Sequence, residues 1–334
     1  MGKRMLYAVA TMTGTAVGIG ASAAGLLRHQ ASSLRRGFDD DTDRPFPSIA
    51  EVVPPPAGTA ADAGPATGDD DPATLAVIGD SWVCGIGIDD PHDAPAMLIA
   101  RGLARLLGTS VRVESTARPS ALSDDLAAQV VETLRSTRLS RQGSDSPRSD
   151  RRRFAIISIG TGDVIHPIHG PIGIPALNQA INRLQREGRY TVFVLVCPNL
   201  GGLPGLRDPL KTVLRRSSRV LAGSQWLAAL AARAVPLQAT GSLTGTTRKS
   251  LLNESGRFPS ALGYAQLAST VLAAIAERID ARIAVDRAHD IPDDTREASA
   301  DAEAADTPTD AANAPADAAT PAQASPAEAG GSDR

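Results

Sequence analysis

The chain is predicted to be an α/β protein built on a parallel sheet of five strands, with helices covering both faces. Three observations predict it. Five short apolar runs recur at residues 75–78, 111–114, 154–159, 191–196 and 235–237. These runs are nearly continuous in apolar residues, as strands buried on both faces must be. Helical patterns fill the intervals at residues 94–107, 123–139, 174–187, 209–234 and 260–283, and regular strand–helix alternation marks a parallel sheet.

The first strand ends in Gly79-Asp80-Ser81. A strand-to-helix turn there would set a serine hydroxyl at the carboxyl edge of the sheet, beside unpaired backbone N–H groups. Cys84 reads as a small apolar residue of the following helical turn, and Trp82 as core. Gly108 and Gly188 stand where helix C-caps belong. The second strand leads to Ala117-Arg118-Pro119-Ser120. Ser123, followed by Asp124 and Asp125, reads as an N-cap with acid in the first helical turn. Residues 140–153 form a polar, arginine-rich insertion, read as a solvated loop before the third strand. That strand leads to Gly160-Thr161-Gly162-Asp163, the fourth to Cys197-Pro198-Asn199. Phe258-Pro259-Ser260-Ala261-Leu262-Gly263-Tyr264 opens the last helix.

Charge divides the 334 residues into regions. Residues 37–71 hold nine acidic residues and one basic, and residues 288–334 hold eleven and two. The intervening 72–287 are basic, with 26 Lys+Arg against 17 Asp+Glu. Residues 37–73, rich in Pro, Asp, Ala and Gly, are expected to be a disordered linker, and residues 288–334 a disordered tail. Residues 5–27 are uncharged, long enough to span about 30 Å of hydrocarbon, and flanked by Lys3, Arg4, Arg28, Arg35 and Arg36. Residues 1–36 are therefore expected to be a membrane anchor with a basic flank, its orientation ambiguous and Ala21-Ser22-Ala23 offering the alternative of a cleaved signal. Gly14 and Gly18 would let two such helices approach closely, so self-association through the anchor is open.

Taken together, the strand-end sequences resemble the SGNH (GDSL-type) hydrolase superfamily, over roughly residues 74–280. The resemblance rests on Gly79-Asp80-Ser81, on Gly160-x-x-Asp163 and on Pro259-Ser260-x-x-Gly263-Tyr264. It implies a flavodoxin-like three-layer α/β/α fold and acyl transfer through serine. Ser81 takes the nucleophile position. An oxyanion hole would draw on the Ser81 N–H, on a glycine position filled by Ser120, and on an asparagine position filled by Gly162. Asp163 lines the same pocket. The family's Asp-x-x-His-Pro motif falls on Ser255-Gly256-Arg257-Phe258-Pro259, so the orienting aspartate is replaced by Ser255 and the base by Phe258. Phenylalanine accepts no proton. His166 and His169, after the third strand, are the substitute bases the sequence offers.

Three functions follow from this pattern. One is a membrane-tethered, catalytically impaired hydrolase-fold protein that binds an ester, acyl or glycan ligand or a protein partner at the envelope. Another is an active serine esterase or acyltransferase with a non-standard base. The third is a non-catalytic membrane scaffold. No metal or organic cofactor is implied, since Cys84 and Cys197 lack ligand spacing, and nothing resembles a nucleic-acid-binding module.

Overall fold

A computed structural model describes residues 24–43, 46–57, 72–141, 152–166, 173–238 and 250–289. The sheet has six strands: β1 (Ala50–Val53), β2 (Ala73–Gly79), β3 (Val111–Ser115), β4 (Arg153–Ser158), β5 (Thr191–Val196) and β6 (Val235–Gln238). Their order is β1-β3-β2-β4-β5-β6. The five strands expected from the sequence are all parallel and stand in the flavodoxin-like order, while β1 is an added antiparallel edge. Among the described residues seven α-helices accompany them: α1 (residues 24–42), α2 (Pro95–Leu107), α3 (Leu126–Arg141), α4 (Thr161–Ile165), α5 (Ile174–Gly188), α6 (Leu210–Ala231) and α7 (Ala261–His289).

Strand side chains alternate between two cores because successive Cβ atoms point to opposite faces. Leu75 and Val77, Phe154 and Ile156, and Phe193 and Leu195 enter one core with α2 and α7. Ala76 and Ile78, Ala155 and Ile157, and Val192 and Val194 enter the other with α3 and α5. A strand clothed on both sides has no polar face, and its near-continuous apolar sequence follows.

The expected linker is corrected by the structure. Residues 37–42 continue α1, and Ala50–Val53 pair with β3 in the register Ala50↔Glu114 to Val53↔Val111. Phe38, Ile49 and Val53 are buried in the first core. Two short apolar islands suffice to order the segment, and the averaged Pro/Asp/Gly composition hides them. Residues 58–71 lie outside the described residues. So do residues 1–23, which hold most of the expected anchor, and residues 290–334 of the expected tail. Among the described residues no helix is long and apolar enough to cross a membrane. Two compact units divide the chain, Met1–Ile279 and Asp280–Arg334, so α7 belongs to the first up to Ile279.

Two cap expectations also change. Gly108 caps α2 in the left-handed region, φ 64°, as expected. At the end of α5 it is Arg189, φ 56°, that turns left-handed, while Gly188 is the last helical residue. A Cβ at Gly188 would meet the Tyr190 ring and Leu134, so packing explains that glycine. Ser123 is not the N-cap either. It lies inside a 3-10 turn, Ser123–Asp125, and Asp125 accepts the Leu122 N–H at 2.8 Å.

Candidate active site at the carboxyl edge of the sheet

The strand order reverses between β2 and β4, the switch point where open α/β sheets form their crevices. Gly79 closes β2 with φ 141°, and a Cβ there would run into the Ser158 carbonyl of β4. Gln129, buried on α3, accepts from Gly79 N–H at 2.8 Å and donates to Gly79 C=O at 3.0 Å, sealing the strand end. Asp80 ties the two central strand ends together. One carboxylate oxygen accepts from Trp82 N–H at 3.1 Å, the other from Thr161 N–H at 2.9 Å. Burial outweighs these bonds and raises the Asp80 carboxyl to about 6.

Ser81 follows, in a run of turns over residues 81–87 rather than at a helix start. The first α-helix after β2 is α2, at Pro95, beyond a 3-10 turn at Pro91–Asp93, so Ser81 does not open the helix that follows its own strand. Ser81 is only 3% exposed, a correction to the expected exposed hydroxyl. Among the described residues neither its N–H nor its Oγ has a hydrogen-bond partner. Cys84, expected in a helix, lies in the same turns and donates its thiol to Asp80 C=O at 3.2 Å. Burial pushes the Cys84 and Cys197 thiols far above the ordinary value, which leaves both as poor nucleophiles. Trp82 is buried, as expected of a core residue, and its Nε1 has no partner among the described residues. The Tyr264 hydroxyl lies near the Ile86 main chain, and burial pushes its ionisation well above the ordinary tyrosine range, so it stays protonated.

The remaining predicted residues separate into three groups. Ser120 sits in the exposed turn that Ala121 N–H closes onto Arg118 C=O at 3.2 Å. Gly162 and Asp163 lie in α4, but Asp163 is engaged elsewhere: it accepts from Ser123 N–H at 3.2 Å and from Ser123 Oγ at 2.5 Å. A Cβ at Gly162 would come within 2.7 Å of Leu122 Cδ2 and 3.0 Å of Ala121 C=O. An asparagine side chain would therefore have to displace that loop. Ser255 donates its hydroxyl to Asn253 at 2.8 Å. Phe258 is fully buried, with its ring edge-to-face on Phe38 of α1. His169 lies outside the described residues. His166 ends α4 and turns its Nε2 to Asp39 of α1, 3.6 Å away.

The part of the site that sequence reasoning missed is α1. Arg35 donates to Ile165 C=O at 2.8 Å, Gln30 reaches the Asp208 carbonyl and Leu210 N–H, and Asp41, 2% exposed, accepts from Arg257 Nε at 2.7 Å. Together with the Phe38–Phe258 ring pair, these contacts hold one helix against α4, the head of α6 and the Ser255–Pro259 loop. The available signal was the spacing of Leu27, Ala31, Leu34 and Phe38, an apolar stripe at helical period. Among the described residues no group of His, Cys, Asp or Glu could hold a metal ion.

No protein-family model matches the chain. Over 214 residues it is 29% identical to a GDSL-like esterase of Mycobacterium tuberculosis, an alignment spanning 63% of each protein. The chain thus covers less than two thirds of that relative. Among solved structures, a lipase/acylhydrolase from Enterococcus faecalis is 17% identical with a TM-score of 0.43, covering 62% of this chain and 96% of that one. An esterase from Pseudoalteromonas inhibited by monoethylphosphonate is 12% identical with a TM-score of 0.43, covering 62% and 99%. With the serine after β2 and the Gly-x-x-Asp after β4 in place, the likeness to a GDSL-like esterase supports the SGNH/GDSL hydrolase superfamily for this chain.

Proposed function

We propose that this chain is a membrane-tethered member of the GDSL-type hydrolases in which ester hydrolysis is impaired, the domain serving to bind an ester, acyl or glycan ligand or a protein at the envelope. One observation carries the reading. The position of the family's base is a fully buried phenylalanine packed against Phe38, and no described His or carboxylate is hydrogen-bonded to Ser81. A serine hydroxyl without a base is a weak nucleophile at neutral pH. The closed space beside Gly162 adds to this, because loss of one oxyanion donor costs about 10² to 10³ in turnover. The tether rests on the uncharged run at residues 5–27. The test is fluorophosphonate labelling and nitrophenyl-ester hydrolysis by the full chain and by Ser81→Ala. Equal, background-level signals are expected; labelling of Ser81 that the variant abolishes would overturn the reading.

A second reading is favoured by one contact. His166 Nε2 stands 3.6 Å from Asp39 Oδ1, the beginning of an Asp–His pair assembled from α1 and α4. If that pair serves Ser81, the full chain hydrolyses esters and both His166→Gln and Ser81→Ala abolish the turnover. Turnover unchanged by His166→Gln would exclude it.

A further inference from the structure

Helix α6 buries one side and leaves the other bare. Leu214, Ser218, Leu221, Gln225 and Ala228 follow one another at spacings of three and four and face inward. On the opposite side Val213, Val220, Leu227 and Leu230 recur at near-heptad spacing, with Trp226 beside them, and all five are exposed. Leu227 is 69% exposed and Val220 59%. Of the thirteen large apolar side chains exposed among the described residues, five belong to this helix, so the patch is not ordinary scatter. Gly223 continues the same side, and a Cβ there would meet nothing within 4 Å.

The charge of the helix is one-sided too. From Leu210 to Ala231 it carries Lys211, Arg215, Arg216 and Arg219 and no carboxylate. The cations occupy the N-terminal half and the large apolar residues dominate the C-terminal half, where Trp226 stands. Asp208, just ahead of the helix, accepts the Thr212 hydroxyl at 2.5 Å.

We propose that this outward side of α6 docks flat on a bilayer surface rich in anionic lipid headgroups. Arg215, Arg216 and Arg219 meet the phosphates. Trp226, Leu227 and Leu230 enter the boundary between headgroups and acyl chains, where an amphipathic indole is at home. Charge complementarity selects the anionic surface, and the apolar half selects a lipid over a purely acidic partner. Residues 288–334 could match the arginines in charge, but Ile291 is their one large aliphatic residue, so they cannot cover Trp226, Leu227 and Leu230. A second copy of α6 would bring further arginines to the contact and no acid to pair with them. The inference depends neither on the chemistry of Ser81 nor on the tether.

The chain has two tryptophans, of which Trp82 is buried, so Trp82→Phe leaves Trp226 as the sole indole of the full chain. The probe is phosphatidylcholine vesicles carrying brominated acyl chains, with and without phosphatidylglycerol. Expected is a blue shift and bromine quenching of Trp226 on the anionic vesicles. Each arginine replaced by glutamine should weaken docking about fivefold, additively over Arg215, Arg216 and Arg219. The difference between wild-type protein and Trp226→Phe gives the same signal if Trp82→Phe folds poorly. Unquenched Trp226 on anionic vesicles overturns the proposal. So does shielding without lipid that grows with protein concentration, the sign of a second copy, or shielding lost on deletion of residues 290–334. Flotation on phosphatidylcholine vesicles without phosphatidylglycerol reports the tether separately, so failure of either reading is recognisable on its own.

Discussion

The rings of Phe38 and Phe258 meet edge to face, with centroids 5.2 Å apart and planes at 77°. One ring belongs to α1 and the other stands where the resemblance to GDSL-type hydrolases expects a base. Aromatic pairs of this geometry add about 0.5–1.5 kcal/mol beyond the area they bury. Phe38→Ala is expected to destabilise the domain by about 3–5 kcal/mol, read as a lower urea midpoint at unchanged slope.

Arg257 and Asp41 lock the same junction one turn farther on. Asp41 is buried while Arg257 is partly exposed, so the pair is worth less than a fully enclosed one. Asp41→Asn should cost about 2 kcal/mol in chemical denaturation, because the guanidinium keeps a neutral acceptor but loses its charge partner. A cost below a few tenths would mean that α1 is not fastened through this contact.

Putting a base back is a direct test of how much machinery survives. Ser255→Asp with Phe258→His writes in the two residues that the resemblance expects at these positions. Nitrophenyl-ester hydrolysis is expected to rise above that of the unaltered chain and to vanish when Ser81→Ala is added. It should still fall about 10² to 10³ short of a site with a full set of oxyanion donors, since Gly162 supplies no amide.

Asp80 makes stability depend on pH in an unusual direction. Its carboxyl ionises near 3.8 in an unfolded chain and at about 6 when buried, so between those values the folded state holds the proton and the unfolded state has released it. Its contribution is therefore full below the unfolded value and is lost as pH rises through about 6, a change of about 3 kcal/mol. Urea unfolding across this window should show stability falling with rising pH, and Asp80→Asn should flatten the curve.

Two buried glutamines perform the same task at different strand ends. Gln129 takes both main-chain groups of Gly79; Gln225 of α6 accepts from Cys197 N–H and donates to Ile159 C=O, each at 2.7 Å. Gln225→Met strands two buried backbone groups, whereas Gln129→Met strands the Gly79 N–H alone, because Gly79 C=O also accepts from Arg118 N–H at 3.0 Å; each stranded group costs about 1–3 kcal/mol. Both variants should unfold at clearly lower urea concentration, and hydrogen exchange should quicken at Gly79 in one and Cys197 in the other.

The five parallel strands were legible because a strand covered on both sides has to be apolar throughout, a requirement that leaves little ambiguity at Leu75–Val77 or Phe193–Leu195. Edge strand β1 was not, since Ala50, Glu51 and Val52 are exposed and only Val53 is buried, so its sequence carries almost no apolar signal. Helix α1 escaped for a different reason: Phe38 and Asp41 each find their partner more than two hundred residues downstream, and such pairings leave no local trace. At the site, the placement of Ser81 after the first parallel strand was legible, while the roles of Ser81 and Phe258 rest on the resemblance alone. The burial of Ser81, the engagement of Asp163 by Ser123, and the filling of the space beside Gly162 are tertiary facts.

Because α1 runs into the core, residues 24–42 are part of the domain and not a loose connector to it. A helix advances about 1.5 Å per residue, so the fourteen steps from Ala24 to Phe38 amount to a rigid strut of about 21 Å. Whatever grips the chain at Ala24 grips the sheet as well, at a fixed stand-off and with its orientation transmitted. For the same reason, a fragment cut at residue 73 would lose more than a connector: it would lack an edge strand and the helix packed on Phe258 and α4.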